Sequence, residues 1–258
     1  MKAFYYAAAA YCNQDLLSKW QCGEACSSEG EVIDFTKITD DSKGTFGYVA
    51  YNKDNNEVVV AFRGSVNVEN WITNMNFLQM QYPGHGSAAV HRGFYEAFMA
   101  VEGQVMTSLG AILAQHPSAR VVITGHSLGA ALATFAAVHI KEQLQFPVEK
   151  LTFYTLGSPR TGNQAWTDYV YSLYPAGQNQ RITHYNDFNH IGDEVWYNVA
   201  SDTDTTYVIC KNGPGKQEDL TCSSSIFSTG VDAHLHYMGK ALHDMCTHVT
   251  AGFLQTTQ

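Results

Sequence analysis

A short serine motif flanked by glycines constrains the fold of this chain more than any other feature. Residues 125–129 have the sequence Gly-His-Ser-Leu-Gly; they follow a β-branched run and precede an apolar, alanine-rich segment. A turn that passes from strand to serine to helix without spare residues crowds the backbone, so the positions flanking the serine must be small. Gly125 and Gly129 meet that requirement. The motif therefore predicts an α/β fold in which a sharp turn exposes the oxygen of Ser127.

Strand and helix patterns alternate along the rest of the chain. The predicted strands lie at 45–51, 57–63, 120–124, 151–156, 181–185, 195–199 and 206–210. The predicted helices lie at 93–116, which stops at a proline, and at 128–144. This alternation favours a mainly parallel sheet flanked by helices. Because no repeat or linker-like change of composition interrupts it, we expect one domain spanning residues 1–258.

Charge and hydrophobicity narrow the classes of partner. The chain has 24 acidic and 15 basic side chains, a formal net charge of −9. This excess of acid disfavours nucleic acid and anionic lipid as partners, but it is compatible with an uncharged lipid surface. Hydrophobic residues make up 45 % of the chain, which excludes a disordered protein. No apolar run reaches the roughly 18 residues that a membrane-spanning helix needs, so we expect no transmembrane segment.

Six cysteines indicate an oxidising compartment, because an even number of this size is typical of disulfide bonds. Buried free thiols are one alternative. Cys22 and Cys26 are spaced like half of a zinc site, but no second close cysteine pair completes one. Residues 1–10 resemble a signal peptide only weakly, since the apolar stretch is short. We expect a mature chain whose leader was removed or never included.

The motif serine needs a histidine base and an acid that orients this base. In the order used by α/β-hydrolases, the acid and then the histidine follow the serine along the chain. His126 lies on the strand side of the serine, and we expect its ring to point elsewhere. The candidate bases are His190, His234, His236, His243 and His248. The candidate acids are the aspartates and glutamates between Ser127 and the chosen histidine, and the residues alone do not choose among them.

Six segments together resemble the fungal-type (class 3) lipases, a branch of the α/β-hydrolase superfamily that also includes feruloyl esterases. They are 59–65 (Val-Val-Ala-Phe-Arg-Gly-Ser), 90–94 (Val-His-Arg-Gly-Phe), 124–129 (Thr-Gly-His-Ser-Leu-Gly), 157–163 (Gly-Ser-Pro-Arg-Thr-Gly-Asn), 181–187 (Arg-Ile-Thr-His-Tyr-Asn-Asp) and 232–235 (Asp-Ala-His-Leu). The resemblance covers nearly the whole chain. It implies the α/β-hydrolase fold, a central and mostly parallel sheet flanked by helices, with a short lid helix over the active site.

The resemblance also selects the catalytic residues. It implies Ser127 as the nucleophile, Asp187 as the acid and His234 as the general base. His236 and Asp232 are close competitors by position. The chain departs from the family after Asp187, where about ten residues of a loop that borders the acyl pocket are missing. This departure leaves Asp193 as an alternative acid, and it leaves the preferred acyl chain length open.

Two further regions follow from the resemblance. The backbone N–H groups of Ser65 and Leu128 would form the oxyanion hole, with the Ser65 hydroxyl as an additional donor. The segment after Ser65 matches the lid, and its predicted lid and substrate-binding residues are Val66, Val68, Trp71 and Ile72. Val68, Trp71, Ile72 and Met75 are spaced i, i+3, i+4 and i+7, as on one apolar helix face. A helix permanently packed on the core has the same pattern.

The resemblance implies three disulfide bonds: Cys12–Cys246, Cys22–Cys26 and Cys210–Cys222. It requires no metal and no organic cofactor. The implied function is a secreted, monomeric triacylglycerol lipase that acts on neutral ester at a lipid–water interface. A feruloyl esterase or other carboxylesterase on the same fold is the nearest alternative. A catalytically inactive lipid- or carbohydrate-binding module is a more remote one.

Overall fold

A β-sheet with parallel strands at its centre supports the serine motif. The computed structural model describes residues 1–67, 78–174, 177–184, 187, 194–197, 207–210, 219, 222 and 230–247. Its strands are β1 Val32–Asp40, β2 Thr45–Asn52, β3 Glu57–Phe62, β4 Gln79–Gln81, β5 Ala89–His91, β6 Arg120–His126, β7 Leu151–Leu156, β8 Asn179–His184, β9 Glu194–Tyr197, β10 Val208–Ile209, β11 His236–Tyr237 and β12 Lys240–Ala241.

Eight of these strands form one sheet in the order β1-β2-β3-β6-β7-β8-β9-β10. The strands from β3 through β6, β7 and β8 to β9 pair in parallel, whereas β1-β2, β2-β3 and β9-β10 are antiparallel. The pairs β4-β5 and β11-β12 lie outside this sheet. The predicted fold class, a central and mostly parallel sheet with flanking helices, is therefore confirmed.

Helices flank the sheet. They are α1 Lys2–Ala9, α2 Gln14–Leu17, α3 Glu24–Ser27, α4 Arg92–Met99, α5 Glu102–Gln115, α6 Leu128–Leu144, α7 Gln164–Leu173 and α8 Val231–Leu235, with 3-10 turns at Val148–Lys150 and Leu242–Met245. The prediction of one helix over 93–116 is wrong, because α4 and α5 meet at a bend of 50°. Val101, between the two helices, has φ −119° and ψ −4°, away from the values of about −63° and −42° of a regular α-helix, and Gly103, a poor helix former, follows.

Within the described part of the chain, no single helix is both long and apolar enough to cross a membrane, and α4 and α5 reach that length and composition only as a bent pair.

The two faces of the sheet carry two apolar clusters. Along β3, Val58, Val60 and Phe62 belong to the cluster shared with α4, α5, α6 and α7, while Val59 and Ala61 belong to the cluster shared with α1. Successive side chains of a strand point to opposite faces, so a strand covered on both faces must be apolar throughout. The uninterrupted apolar run of β3 therefore reflects burial on both sides.

The N-terminal segment is a core helix. Every residue of α1 after Lys2 is buried, and four of them are alanines, whose small side chains permit close packing on the sheet. Thr124 Oγ1 on β6 donates a hydrogen bond of 3.1 Å to the carbonyl of Ala3, and Tyr48 Oη on β2 donates one of 2.9 Å to that of Tyr6. The weak likeness to a signal peptide thus corresponds to the apolar surface of a helix packed on the sheet.

All six cysteines form disulfide bonds. The pairs are Cys12–Cys246, Cys22–Cys26 and Cys210–Cys222, the same pairs that the resemblance implies. The bonded state of Cys22 and Cys26 corrects the alternative reading of these residues as half of a zinc site, since a disulfide sulfur is no longer a thiolate ligand. The first bridge spans 234 residues and joins the segment after α1 to the segment after β12.

Sequence patterns found most of the sheet but not all of it. The bounds of α6 and β7 agree with the predicted ones, and β6 runs two residues further than predicted, into the serine motif. The strands predicted at 181–185, 195–199 and 206–210 correspond to β8, β9 and β10. The edge strand β1 and helix α7 were not predicted. The predicted lid helix, whose apolar face is Val68, Trp71, Ile72 and Met75, lies outside the described residues.

Candidate active site

The serine motif forms a sharp turn between β6 and α6. Ser127 lies between the two elements with φ 58° and ψ −125°, a left-handed backbone conformation that is strained for a residue with a side chain. The flanking glycines permit this turn. A Cβ on Gly125 would lie 2.2 Å from the carbonyl oxygen of Gly129, and one on Gly129 would lie 2.2 Å from that of Phe62. The backbone itself therefore requires glycine at both positions.

The Ser127 side chain is fully buried, at 0 % exposure, where the sequence predicted an exposed oxygen. The loop after β3 packs directly on it, because a Cβ on Gly64 would lie 2.9 Å from the Ser127 Cβ. Within the described part of the chain, Ser127 Oγ has no hydrogen-bond partner. A buried hydroxyl that nothing engages is unusual in a purely structural role, and reactive groups are among its recognised explanations.

His234 and Asp187 form a buried pair beside this turn. His234 Nδ1 lies 2.7 Å from Asp187 Oδ1, and the side chains of both residues are inaccessible to solvent. Tyr237 donates its hydroxyl hydrogen to the other carboxylate oxygen, Oδ2, over 2.9 Å. The His234 ring lies next to the turn, because its centroid is 4.4 Å from that of His126. The structure thus brings two of the three predicted catalytic residues into direct contact, adjacent to the third.

Loops at the ends of neighbouring strands position these groups. Asp187 follows β8, and its backbone N–H donates to the carbonyl of His184 over 2.9 Å. Ser127 N–H donates to the carbonyl of Leu156 at the end of β7, also over 2.9 Å. The next residue, Gly157, has φ 54°, and a Cβ there would lie 2.7 Å from the His234 ring. The end of β7 therefore packs closely against both the serine turn and the His234 ring and sets their separation.

Electrostatics keep Asp187 ionised. Burial alone would raise the pKa of this carboxyl, but electrostatic attraction to the His234 ring and hydrogen bonds from His234 and Tyr237 outweigh burial, so the pKa lies below its ordinary value. Because a carboxylate only accepts hydrogen bonds, His234 Nδ1 carries the hydrogen of their shared bond. That tautomer leaves Nε2 of His234 as the nitrogen able to take a proton.

The competing candidates lie elsewhere or outside the described residues. His236 Nδ1 is bonded to the backbone carbonyl of Asp232 over 2.8 Å, and the Asp232 side chain is 93 % exposed, so neither shares the buried site. His243 pairs instead with the adjacent Asp244. His190, Asp193 and His248 lie outside the described residues. Across the ranges that the structure describes, no group of three or more histidine, cysteine, aspartate or glutamate residues is arranged to hold a metal ion.

His126 is placed away from Ser127, as its strand-side position predicts. Its Nδ1 lies 2.7 Å from Tyr11 Oη, and its Nε2 lies 2.7 Å from the backbone carbonyl of His234. Both ring nitrogens are thus engaged, which excludes His126 as the base in this arrangement. Sequence reasoning missed Tyr11 and Tyr237, because no local pattern marks a tyrosine whose hydroxyl will meet a partner from a distant segment.

Ser65 and Leu128, the predicted oxyanion residues, line the same cavity. The loop after β3 runs against the start of α6, because a Cβ on Gly64 would lie 2.9 Å from the Ser127 Cβ and one on Gly129 would lie 2.8 Å from the carbonyl carbon of Arg63. As the first residue of α6, Leu128 has a backbone N–H without an intrahelical acceptor. Both residues line a cavity of about 600 Å³. A shared cavity is compatible with the predicted oxyanion hole, in which both backbone N–H groups bind one negatively charged oxygen.

The same cavity is lined by one more predicted residue, Val66, and by residues that the sequence did not single out. Val66, predicted to contact substrate, lines it and is 40 % exposed. Apolar Leu78 and Phe94 lie in its wall together with basic side chains, of which Lys43 is paired with Glu96 at 3.2 Å. The other predicted lid residues, Val68, Trp71 and Ile72, lie outside the described residues.

The chain is similar in sequence to known lipases. A family model described as "Lipase (class 3)" matches residues 59–189, a stretch that includes Ser65, Ser127 and Asp187. A secreted mono- and diacylglycerol lipase of Fusarium solani is 32 % identical over 249 residues, which cover 90 % of this chain and 73 % of the relative.

Solved structures extend the comparison to the fold. A Rhizomucor miehei lipase in complex with its propeptide superimposes with a TM-score of 0.84 at 27 % identity, covering 95 % of this chain and 81 % of the other. A triacylglycerol lipase whose catalytic centre is described as a serine protease triad superimposes with a TM-score of 0.81 at 27 % identity, covering 94 % of both chains. The similarity therefore extends over nearly the whole chain.

Proposed function

Because this chain belongs to the class 3 lipase family, we propose that it is a secreted lipase that hydrolyses the carboxylic esters of acylglycerols through Ser127, His234 and Asp187. Ser127 is the nucleophile, His234 the general base and Asp187 the acid that orients it. Ser65 and Leu128 form the oxyanion hole. No metal or organic cofactor takes part in these steps.

One observation supports this proposal above all others. The ionised Asp187 holds His234 Nδ1 at 2.7 Å inside a fully buried site, and the neighbouring turn holds a serine hydroxyl with no hydrogen-bond partner among the described residues. A serine, a histidine and a buried carboxylate are the parts from which acyl transfer is built on several unrelated folds. A purely structural role explains neither the strained backbone of Ser127 nor its unengaged hydroxyl.

The chemistry follows from the hydrogen-bond directions. His234 Nε2 accepts the proton of Ser127 as Oγ attacks the ester carbonyl, and the N–H groups of Ser65 and Leu128 stabilise the resulting oxyanion. Protonated His234, stabilised by the Asp187 charge, then gives its proton to the departing alcohol. Water hydrolyses the acyl-enzyme by the same route, and Ser127 regains its proton.

The proposal also concerns which acylglycerols the enzyme prefers as substrates. We favour triacylglycerol, because the implied apolar lid suits a neutral lipid surface and one similar structure is that of a triacylglycerol lipase. A preference for mono- and diacylglycerols is the second candidate, and the identity of 32 % to the Fusarium enzyme supports it. Extracellular localisation is supported by the three disulfide bonds and by the secreted relative.

A substrate comparison with one matched variant pair tests the function. Fatty-acid release from emulsified triolein, diolein and monoolein is measured beside hydrolysis of methyl ferulate, for the wild type, Ser127→Ala and Ser118→Ala. Ser118 is an exposed serine in the turn before β6, so its variant should keep wild-type activity. Ser127→Ala should lose all measurable hydrolysis without a change in the far-ultraviolet circular dichroism spectrum.

The outcomes separate the alternatives. Preference for triolein supports a triacylglycerol lipase, whereas preference for diolein or monoolein supports a mono- and diacylglycerol lipase. Preference for methyl ferulate would identify a feruloyl esterase. Activity retained in Ser127→Ala would disprove the nucleophile assignment, and an inactive wild type would favour a binding module.

A further inference from the structure

A chain of three buried hydrogen bonds connects the loops that carry the proposed catalytic groups. The backbone N–H of Gly64 donates to Tyr11 Oη over 2.9 Å. Tyr11 Oη and His126 Nδ1 are 2.7 Å apart, and His126 Nε2 lies 2.7 Å from the carbonyl oxygen of His234. These contacts join residues separated by 53, 115 and 108 positions, so they tie together parts of the chain that no local structure connects.

The direction of each bond follows from the groups involved. A carbonyl oxygen only accepts, so His126 Nε2 donates to His234. Burial, and after it the nearby His234, lowers the pKa of His126 to about 3, so the ring is neutral and Nδ1 is an acceptor. Tyr11 must then donate to Nδ1, and its oxygen accepts from Gly64. Each of the three donated hydrogens forms one hydrogen bond, and all three bonds point in the same direction, from Gly64 to His234.

Packing leaves this chain little room to adjust. Tyr11 is 2 % exposed and His126 is fully buried. A Cβ on Gly64 would lie 2.3 Å from Tyr11 Oη and 2.5 Å from the carbonyl oxygen of His126. In a buried, close-packed site, a group that loses its partner cannot turn to water instead. The three hydrogen bonds therefore fix the position of the Gly64 backbone relative to that of His234.

Apart from Tyr11, every residue of this hydrogen-bond chain either has a proposed role in the reaction or directly precedes a residue that has one. Gly64 precedes Ser65, His126 precedes Ser127, and the last acceptor is the backbone of His234 itself. We propose that Tyr11 and His126 are positioning residues, which fix the oxyanion donor, the nucleophile and the base at the distances that ester hydrolysis requires. This inference rests on the proposed function, because it concerns the same three groups.

A positioning role predicts a defined kinetic effect. Acylation needs Ser127, His234 and Ser65 in register at the same moment, and a misplacement of about 1 Å can cost on the order of 10² in rate. Neither Tyr11 nor His126 lines the cavity beside Ser65, so substrate binding should be almost unaffected. Loss of either side chain should therefore lower kcat and leave KM nearly constant.

The test compares four variants on p-nitrophenyl butyrate below its solubility limit. Tyr11→Phe removes the hydroxyl, and His126→Leu removes both ring nitrogens. His126→Gln keeps an acceptor for Tyr11 and a donor for His234, so it should restore most of the lost rate. Tyr48→Phe is the matched control. Tyr48 is similarly buried and donates to the backbone of α1 over 2.9 Å, but it takes no part in the three hydrogen bonds between Gly64 and His234.

We expect kcat to fall about 10- to 100-fold in Tyr11→Phe and His126→Leu, with KM within about twofold of the wild type. The rate at which diethyl p-nitrophenyl phosphate phosphorylates Ser127, with release of p-nitrophenolate, should fall in parallel. His126→Gln should lie within about tenfold of the wild type. Tyr48→Phe should lose a comparable amount of thermal stability but keep its kcat.

Two results would overturn the inference. If folded Tyr11→Phe and His126→Leu keep the wild-type kcat and only melt at a lower temperature, the series of hydrogen bonds has a purely structural role. If His126→Gln is as slow as His126→Leu, the hydrogen bonds are not what matters. Failure of the proposed function is a different observation, because the wild type itself would then neither hydrolyse the ester nor react with the phosphate reagent.

Discussion

Tyr237 donates its hydroxyl hydrogen to Asp187 Oδ2 over 2.9 Å, while the other oxygen of the same carboxylate is bonded to His234. Tyr237 lies three residues after His234, so one short segment, α8 with β11, provides both partners of the acid. Burial, and after it the Asp187 charge, raises the pKa of Tyr237, which keeps its hydroxyl protonated and able to donate. The carboxylate is thus fixed in orientation as well as in charge.

Replacing Tyr237 with phenylalanine should weaken the enzyme and reduce its stability. A hydrogen bond to a charged group contributes about 1.5–3 kcal/mol, so we expect the free energy of unfolding at pH 7 to fall by that amount. Because Asp187 would be held less firmly against His234, kcat should fall about tenfold, equivalent to roughly 1.4 kcal/mol. Urea unfolding and hydrolysis of p-nitrophenyl butyrate measure the two effects.

The stability effect of Tyr237→Phe should depend on pH. Asp187 has a lowered pKa in the folded protein, so its contribution is present above the ordinary aspartate pKa and is lost as the pH falls through the folded value. The difference between variant and wild type should therefore shrink below about pH 4. Tyr48→Phe is the control, because its acceptor is a carbonyl that does not titrate. Equal pH profiles for both variants would contradict this account.

Local sequence patterns predicted the serine turn because its requirements are local. Gly125 and Gly129 must be small for backbone reasons alone, and the bounds of α6 follow from its apolar composition. The residues did not choose among five histidines, because the bond between His234 and Asp187 joins positions 47 apart. Only the resemblance to a family selected this pair, and the structure then placed the two side chains in contact.

The unpredicted features depend on long-range packing. Tyr11 and His126 meet across 115 residues, and neither has a neighbour in sequence that indicates the contact. The bend between α4 and α5 was missed because the apolar spacing continues through it, although Val101 is itself buried in the core. Helix α1 resembles a targeting segment because a fully buried helix and a leader are both apolar and alanine-rich.

Alanine substitution should separate a required glycine from a replaceable one. In Gly125→Ala, the new Cβ would lie 2.2 Å from the carbonyl oxygen of Gly129 and 2.8 Å from the backbone nitrogen of Ala130. These are backbone atoms that cannot move alone, so we expect a loss of more than about 2 kcal/mol in unfolding free energy and a loss of activity. Thermal unfolding and ester hydrolysis provide the measurements.

Gly110→Ala is the matched control for that variant. Gly110 lies inside α5, and nothing comes within 4 Å of a Cβ placed there. Alanine is the better helix former, so the control should gain about 0.5–1 kcal/mol and keep full activity. Similar losses in the two variants would mean that the close contact in the serine turn does not decide the effect.

The disulfide bonds should differ in how much they stabilise the folded protein, according to the length of the loop that each one closes. Cys12–Cys246 spans 234 residues and Cys22–Cys26 spans 4. Loop-closure entropy in the unfolded chain predicts about 5 kcal/mol for the long loop and roughly 2 kcal/mol for the short one. The double serine variant of the first pair should therefore melt at a clearly lower temperature than that of the second, by scanning calorimetry under non-reducing conditions. The reverse order would show that unfolded-chain entropy does not govern either bond.

His126 should make the fold sensitive to mild acid. Its pKa falls from 6.5 to about 3 on folding, because burial and then the neighbouring His234 ring disfavour the charged form more than the hydrogen bond to the His234 carbonyl and the Asp187 charge favour it. The unfolded chain therefore takes up a proton first, and the stability contributed by the neutral ring is complete above about pH 6.5 and declines toward pH 3. Each pH unit costs about 1.4 kcal/mol, or roughly 3 kcal/mol by pH 4.5. His126→Gln does not titrate, so urea unfolding between pH 7 and 4.5 should give a flatter profile than the wild type. Parallel profiles would mean that the ring is protonated in the folded protein, and Nδ1 would then not accept the hydrogen bond from Tyr11.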